Sequence, residues 1–228
     1  MKRRFLLLPF TFLFLSGCAL GSILPSTSTT SSTTITENSA SDIGTFVYGE
    51  DYIANHLGNE YWIEYSYQTK RNGSLADAIT LTSARNAEGY YFKSNDGTES
   101  LFIKEGTAYA VYMPNEQGVL EKVPEITMNE ESVKGYTTSF LSYMTIYEVA
   151  KDDLTPDGEE VIAGRSCAKY VFHSSFLTSA IDLHYSIDKK TGVCLRYKSV
   201  VLSGKDTGAF EFLCTMFKDS NVTLPSHA

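Results

Sequence analysis

From residue 61 onward the chain alternates. Tyr61, Ile63, Tyr65 and Tyr67 fall on one side of an extended segment, with Trp62, Glu64, Ser66 and Gln68 on the other. A period of two predicts strands with one buried face. The same rhythm runs through Ile79–Thr82, Tyr90–Phe92, Leu101–Ile103 and Tyr109–Met113. It returns at Val161–Ile162, Cys167–Phe172, Ile181–Asp188, Val193–Lys198 and Phe210–Cys214. Between these segments lie turn residues: Arg71-Asn72-Gly73, Asn86–Glu88, Asn95-Asp96-Gly97, Lys104-Glu105-Gly106, Gly164, Asp188–Gly192 and Ser203–Asp206. Gly, Asn and Asp supply the backbone conformations that tight hairpins require. The expectation is nine or ten antiparallel strands joined by hairpins.

One segment breaks the rhythm. Val133, Tyr136, Phe140, Tyr143 and Tyr147 are spaced three and four apart, which makes one stripe on a helix. Thr127 and Glu130 have capping-box spacing at its start. A helix is predicted near 129–150, closed off by Pro156-Asp157-Gly158, and a shorter one over Glu50–Leu57. A sheet of nine or ten strands tends to curl, and its concave apolar face needs a cover. The predicted class is mainly β (α+β): a curved antiparallel sheet or incomplete barrel covered by one central helix.

The first 42 residues have a different character. Met1-Lys2-Arg3-Arg4 is followed by an apolar run, Phe5–Leu15, and then by Ser16-Gly17-Cys18. A basic start, a short apolar stretch and small residues describe a secretory signal. About eleven apolar residues fall short of the roughly 20 that span a bilayer. Leu15-Ser16-Gly17-Cys18 resembles a bacterial lipobox. That resemblance implies a diacylglyceryl group on the Cys18 sulfur, cleavage before Cys18 and a membrane-anchored extracytoplasmic protein. Ala19 resembles the pattern that permits outer-membrane delivery in cells that have one. Residues 22–42 are rich in Ser and Thr and too poor in apolar groups to fold, and a chain of about 25 such residues reaches roughly 25–30 Å. The expected organisation is a signal peptide over 1–17, a lipidated tether over 18–42 and a single β domain over 43–228.

Charge narrows the partners. The chain carries −8, and loss of Lys2, Arg3 and Arg4 with the signal leaves −11. Such a body is repelled by nucleic-acid phosphate and by anionic headgroups. Nucleic acid is excluded as a partner, and membrane attachment must be covalent or hydrophobic. No nucleophile elbow and no His-Glu-x-x-His motif is present. Asp188-Lys-Lys-Thr-Gly192 and Gly204-Lys205-Asp206-Thr207 read as hairpin turns. Asn72-Gly73-Ser74 and Asn221-Val222-Thr223 match the glycosylation pattern, but the Asn-Gly pair is read in preference as a tight hairpin turn. His184 and Asp182 share a strand face that reads as solvent-exposed. No catalytic residue, cofactor or metal site is assigned, and the expectation is a non-enzyme, the alternative being an unrecognised hydrolase. Cys167, Cys194 and Cys214 are expected as buried thiols. A meander count sets Ile187 opposite Val193 and Cys167 near Ile187.

Two stretches carry a wider resemblance: Gly164-Arg-Ser-Cys167-Ala-Lys-Tyr170-Val-Phe172, and Tyr185-Ser-Ile-Asp188-Lys-Lys-Thr-Gly192-Val-Cys-Leu195-Arg-Tyr197. They are similar to the C-terminal half of LolA/LppX-like lipoproteins, in which a Gly-x-x-Cys-x-x-Tyr strand precedes a Tyr-x-Ile-Asp-x-x-Thr-Gly hairpin. The resemblance covers about 60 residues of mostly turn and core chemistry. It implies an incomplete antiparallel barrel closed by helices over an apolar cavity that binds lipid or lipoprotein acyl chains. No functional residue of that family transfers by motif. The positions here that would face such a cavity are Tyr65, Tyr136, Phe140, Tyr143, Tyr185 and Phe212. Two readings remain open: a lipid or acyl-chain binder, or a tethered interaction or sensor module whose apolar face is simply packed core.

Overall fold

The computed structural model describes residues 57–71, 73–144, 154–176, 179–202 and 208–228. Cys18, the 1–17 and 18–42 segments, the 50–56 part of the first predicted helix and residues 145–150 of the second lie outside the described residues. The strands are β1 (Tyr61–Arg71), β2 (Ser74–Leu75), β3 (Ile79–Arg85), β4 (Gly89–Ser94), β5 (Glu99–Glu105) and β6 (Ala108–Pro114). They continue as β7 (Leu120–Met128), β8 (Thr155–Ile162), β9 (Arg165–Phe176), β10 (Ser179–Asp188), β11 (Cys194–Val201) and β12 (Gly208–Lys218). All twelve belong to one curved, unclosed antiparallel sheet.

Across the sheet the order is β7-β6-β5-β4-β3-β1-β12-β11-β10-β9-β8, with β2 extending the β3 side of β1. The chain thus begins in the middle, meanders out to β7, crosses by a helix, and meanders back from β8 to β12. The β1–β12 seam is long: Tyr67 pairs with Phe212 and Arg71 with Gly208. Hairpins fall at the marked turns Asn86–Glu88, Asn95-Asp96-Gly97, Lys104-Glu105-Gly106, Gly164 and Asp188–Gly192, the β6–β7 hairpin at Asn115–Val119 is an addition, and the expected Ser203–Asp206 turn lies outside the described residues. Gly97 and Gly192 both hold φ above +70°, a conformation that glycine adopts without steric cost.

The structure corrects four expectations. Twelve strands replace nine or ten, because β2 is two residues long and β7 was missed. β7 carries Pro124 and is mostly exposed, so as an edge strand it shows no clean alternation. The helix α1 spans Glu130–Thr138 and then tightens into a 3₁₀ segment, Ser139–Met144. The Thr137 and Thr138 hydroxyls donate to the Val133 and Lys134 carbonyls at 2.9 and 2.7 Å, a back-bonding that weakens regular helix. The N-cap is Asn129, whose side chain accepts from the Ser132 amide at 2.8 Å, so no Thr127–Glu130 capping box forms. Finally, Ile187 pairs with Cys194 across a bulge, and Cys167 pairs with Asp188. The meander count was one residue out at both places.

One face of the sheet, the inner face, carries α1. Phe140 packs edge-on against Tyr65 at 5.8 Å, and Tyr136 packs against Phe92 and Phe102, each at 5.5 Å. The opposite, outer face differs between the two halves. Over β3–β7 it is apolar and is covered by the C-terminal strand-free tail. Val222 and Leu224 join Ala84, Tyr91, Leu101, Ala110, Tyr112 and Leu120 in one cluster. The Val222 amide donates to Glu60, Asn86 donates to the Val222 carbonyl, and the Ala228 amide donates to Leu120. Over β8–β12 the outer face is polar. Arg196 meets Glu160 at 2.6 Å, Ser186 donates to Glu160, and His173 meets Asp182 at 2.7 Å.

Candidate functional site: the aromatic inner face

Register, more than composition, builds the site. Tyr170 pairs with Tyr185, Tyr185 with Tyr197, Tyr197 with Phe212, and Phe212 with Tyr67. Partners on adjacent strands project to the same face, so five neighbouring strands place five aromatic rings in one row. Tyr185 stacks on Tyr197 at 5.1 Å and 28°, and Tyr67 lies 4.5 Å from Phe212. Phe210 joins the row from the next level, 5.5 Å from Tyr197 and 6.4 Å from Tyr67. Each of these pairs adds about 0.5–1.5 kcal/mol beyond area burial.

Burial along this face is graded. At the end where β1 begins, Ile63, Tyr65, Ile187, Leu195 and Cys214 are buried. At the end where β1 finishes, which we call the upper end, Tyr67, Phe172, Leu183 and Phe210 are only partly buried. The Tyr65 hydroxyl donates to the Cys194 carbonyl at 2.5 Å and fixes the deep end. Under α1 the lining is an apolar cluster of Tyr90, Phe102, Tyr109, Val111 and Val133, with polar contacts at its margin. Tyr61 meets the buried Ser83 at 3.2 Å, and burial pushes its phenol up to about 12. Glu130, at the start of α1, accepts from Tyr90 at 3.0 Å and pairs with Lys134 at 3.1 Å and Arg85 at 3.4 Å.

Of the candidate lining residues, the structure brings Tyr65, Phe140, Tyr185 and Phe212 into one buried cluster, with Tyr136 packed against it. Nothing is described of the Tyr143 side chain. Sequence reasoning missed Tyr67, Tyr170, Tyr197 and Phe210 as members of a row. Their positions were legible as alternation, but the row depends on register, and bulges at Glu64/Tyr65 and Ser186/Ile187 shift it. The three remaining cysteines are buried and are in no disulfide. Burial pushes the Cys167 thiol up to about 11 and the Cys214 thiol up to about 12, and it raises Cys194 as well. Two grooves lie away from the inner face. One of about 590 Å³ is lined by Ala87, Glu88, Ile103, Lys104, Gly106 and His227, and one of about 270 Å³ by Gly164, Arg165, Ser166, Asp188, Lys189 and Lys190.

This geometry defines a class: a half-barrel with an aromatic inner face, covered in part by a short helix. No protein-family model and no curated protein matches the sequence. Solved structures with which it shares similarity include MucB (14% identity over 75% of this chain and 56% of that one, TM-score 0.42), also solved in complex with MucA. They include the Mycobacterium tuberculosis lipoprotein LppX (15% identity, 71% and 89% coverage, TM-score 0.30). A LolA superfamily protein from Nitrosomonas europaea is also among them (8% identity, 78% and 96% coverage, TM-score 0.26). The chain spans about half the length of the MucB chain.

Proposed function

We propose that this chain is a membrane-anchored extracytoplasmic lipoprotein that holds a hydrophobic ligand, a lipid or an acyl chain, on its aromatic inner face. The observation that carries the reading is the burial gradient. A row of rings continues a closed core outward to a partly exposed rim at Tyr67, Phe172, Leu183 and Phe210. Apolar area left partly in water at the rim of a core is where an apolar ligand gains most from burial, at roughly 25 cal/mol per Å². The reading places the anchor on Cys18 and the tether over 18–42, with the domain over 43–228. It assigns no catalytic step.

A second reading, a tethered interaction module, draws on a different observation. Tyr65, Phe140, Tyr185 and Phe212 are buried against one another as they stand, so the deep face serves as packed core. Lipid extraction and native mass spectrometry of the purified protein separate the two. The binder carries a lipid mass that Phe210→Ser and Leu183→Ser diminish, with an unchanged fold by circular dichroism. A chain that is consistently ligand-free, in wild type and after lipid exposure, overturns the binder reading. Independently, Cys18→Ser should release the protein from membranes, and retention there overturns the anchor.

A further inference from the structure

The upper end of the sheet has a second property. Leu75 and Leu202 are among the most exposed large apolar side chains described, at 64% and 54%. Both stand beyond the rim. Leu75 pairs with Lys70, three residues past Tyr67 along β1. Leu202 lies three residues past Ser199, which pairs with Phe210. Three residues of strand advance about 10 Å. Ile79, paired with Tyr67, is exposed on the same side of the seam. The column of β2 and β3 and the strand β11 are separated by β1 and β12, so the two leucines are roughly 14 Å apart across three strand spacings.

Two cations flank Leu75, with the exposed Asp77 two residues beyond it. Lys70 and Arg71, both exposed, pair directly with Leu75 and Ser74, on a chain whose net charge is −8. Apolar tips flanked by long cationic side chains suit the headgroup–acyl boundary, where the apolar group enters and the ammonium or guanidinium stays with the phosphates. Neither leucine lines either groove, and both are exposed, which suits a yielding surface. At the other end the turns Asn86–Glu88, Glu105-Gly106 and Asp188–Lys190 are mostly polar, and an apolar side chain, Val161 beside the β8–β9 turn, is exposed there at 72%.

We propose that Leu75 and Leu202 at the upper end dock on a lipid bilayer by entering the headgroup region, a hydrophobic attachment, while Lys70 and Arg71 pair with lipid phosphates and locally offset the repulsion of the acidic body. The rim of the aromatic face then opens at the membrane surface, and the tether supplies the proximity. The docking rests on the membrane location in the preceding reading but not on ligand capture.

The test places single environment-sensitive fluorophores by Leu75→Cys, Leu202→Cys and, at the opposite end, Glu88→Cys. The carrier is the mature protein purified from membranes and reconstituted in phosphatidylglycerol–phosphatidylethanolamine vesicles. The buried native thiols do not compete for label. Lipids brominated on the acyl chains should quench probes at 75 and 202 and leave the probe at 88 bright. Lys70→Gln with Arg71→Gln should reduce the quenching at 75, with an unchanged unfolding midpoint confirming the fold. Probes at 75 and 202 that behave like the probe at 88 overturn the docking. Lipid mass measured on the same preparations separates the two proposals: quenched tips on a ligand-free protein refute ligand capture alone, and a lipid-loaded protein with unquenched tips refutes docking alone.

Discussion

Asp188 is the place where a single substitution should do most damage outside the apolar core. It is 2% exposed. Its Oδ2 accepts from Arg165 Nε at 2.9 Å and Nη2 at 2.7 Å, from the Thr191 amide at 3.2 Å and from the Thr191 hydroxyl at 2.5 Å. Arg165, itself 15% exposed in its side chain, also reaches Asp219 at 3.3 Å and lies over the Phe217 ring at 4.6 Å. One carboxylate therefore ties the β8–β9 turn, the β10–β11 turn and, through Asp219, the start of the C-terminal tail. Burial alone would raise the Asp188 carboxyl, but the hydrogen bonds from Arg165 and Thr191 outweigh it and hold the group below its ordinary value. Asp188→Ala leaves Arg165 largely buried with the longer Asp219 contact as its one ion pair among the described residues and the Phe217 ring beneath it, a loss of about 3–5 kcal/mol. For a domain of this size that is a fall in Tm of roughly 6–20 °C. The sign with pH follows from the lowered carboxyl: its contribution is full above the unfolded value near 3.9 and disappears as pH falls through the folded value below it. Urea unfolding at pH 7 and at decreasing pH measures both. The companion Arg165→Met with Asp188→Leu removes both charges and should recover most of the loss. A single-mutant cost under about 1 kcal/mol, or a double mutant that merely sums the singles, refutes the pinned-hub account.

Three other outcomes follow from local geometry. Cys167, Cys194 and Cys214 should resist a thiol reagent at pH 8 in the folded protein and all react in denaturant, because burial raises each thiol; a rapid native reaction at any of them contradicts their placement. Gly89→Ala should cost more than an ordinary surface change, since a Cβ there would stand 1.9 Å from the Phe102 carbonyl oxygen and rigid β4–β5 backbone must shift; a Tm within 2 °C of wild type would count against that close approach. Asn129→Ala should cost about 0.5–2 kcal/mol through loss of the α1 cap, and Thr127→Ala far less, by urea denaturation of the two variants side by side.

The fold was legible where the chain's local chemistry is unambiguous. Asn95-Asp96-Gly97 and Asp188–Gly192 specify hairpins by themselves, and alternation at Tyr61–Tyr67 and Ile181–Ile187 specifies the strands that they join. It was illegible where tertiary context decides. Leu120–Met128 is an edge with mostly exposed side chains, so nothing in its polarity distinguishes it from a loop. The stripe Val133–Tyr147 promised a longer regular helix than Thr137 and Thr138 permit. The candidate lining residues came from single strands and one helix. Membership of the row at Tyr67, Tyr170, Tyr197 and Phe210 depends on pairing across five strands, which no local pattern contains.

An unclosed sheet leaves two edges, and both are blunted by the same means. In β7, Pro124 has no amide to donate and Glu125 holds φ +64°. In β8, Pro156 removes a donor and Gly158 holds φ +86° beside a shift in register between Pro156 and Glu159. Proline and bulges on edge strands prevent strand addition by a neighbour. Restoring a regular ladder, by Pro156→Val with Gly158→Val, should promote association through β8, read as concentration-dependent growth in light scattering. A variant that stays monomeric at every concentration would show that the edge needs no protection. With strand addition disfavoured at both edges, with α1 over one half of the inner face and the tail over one half of the outer, the surfaces left for recognition are few. Among the described residues, the partly buried aromatic rim and the exposed Leu75 and Leu202 beyond it bring apolar side chains to water at one end of the sheet.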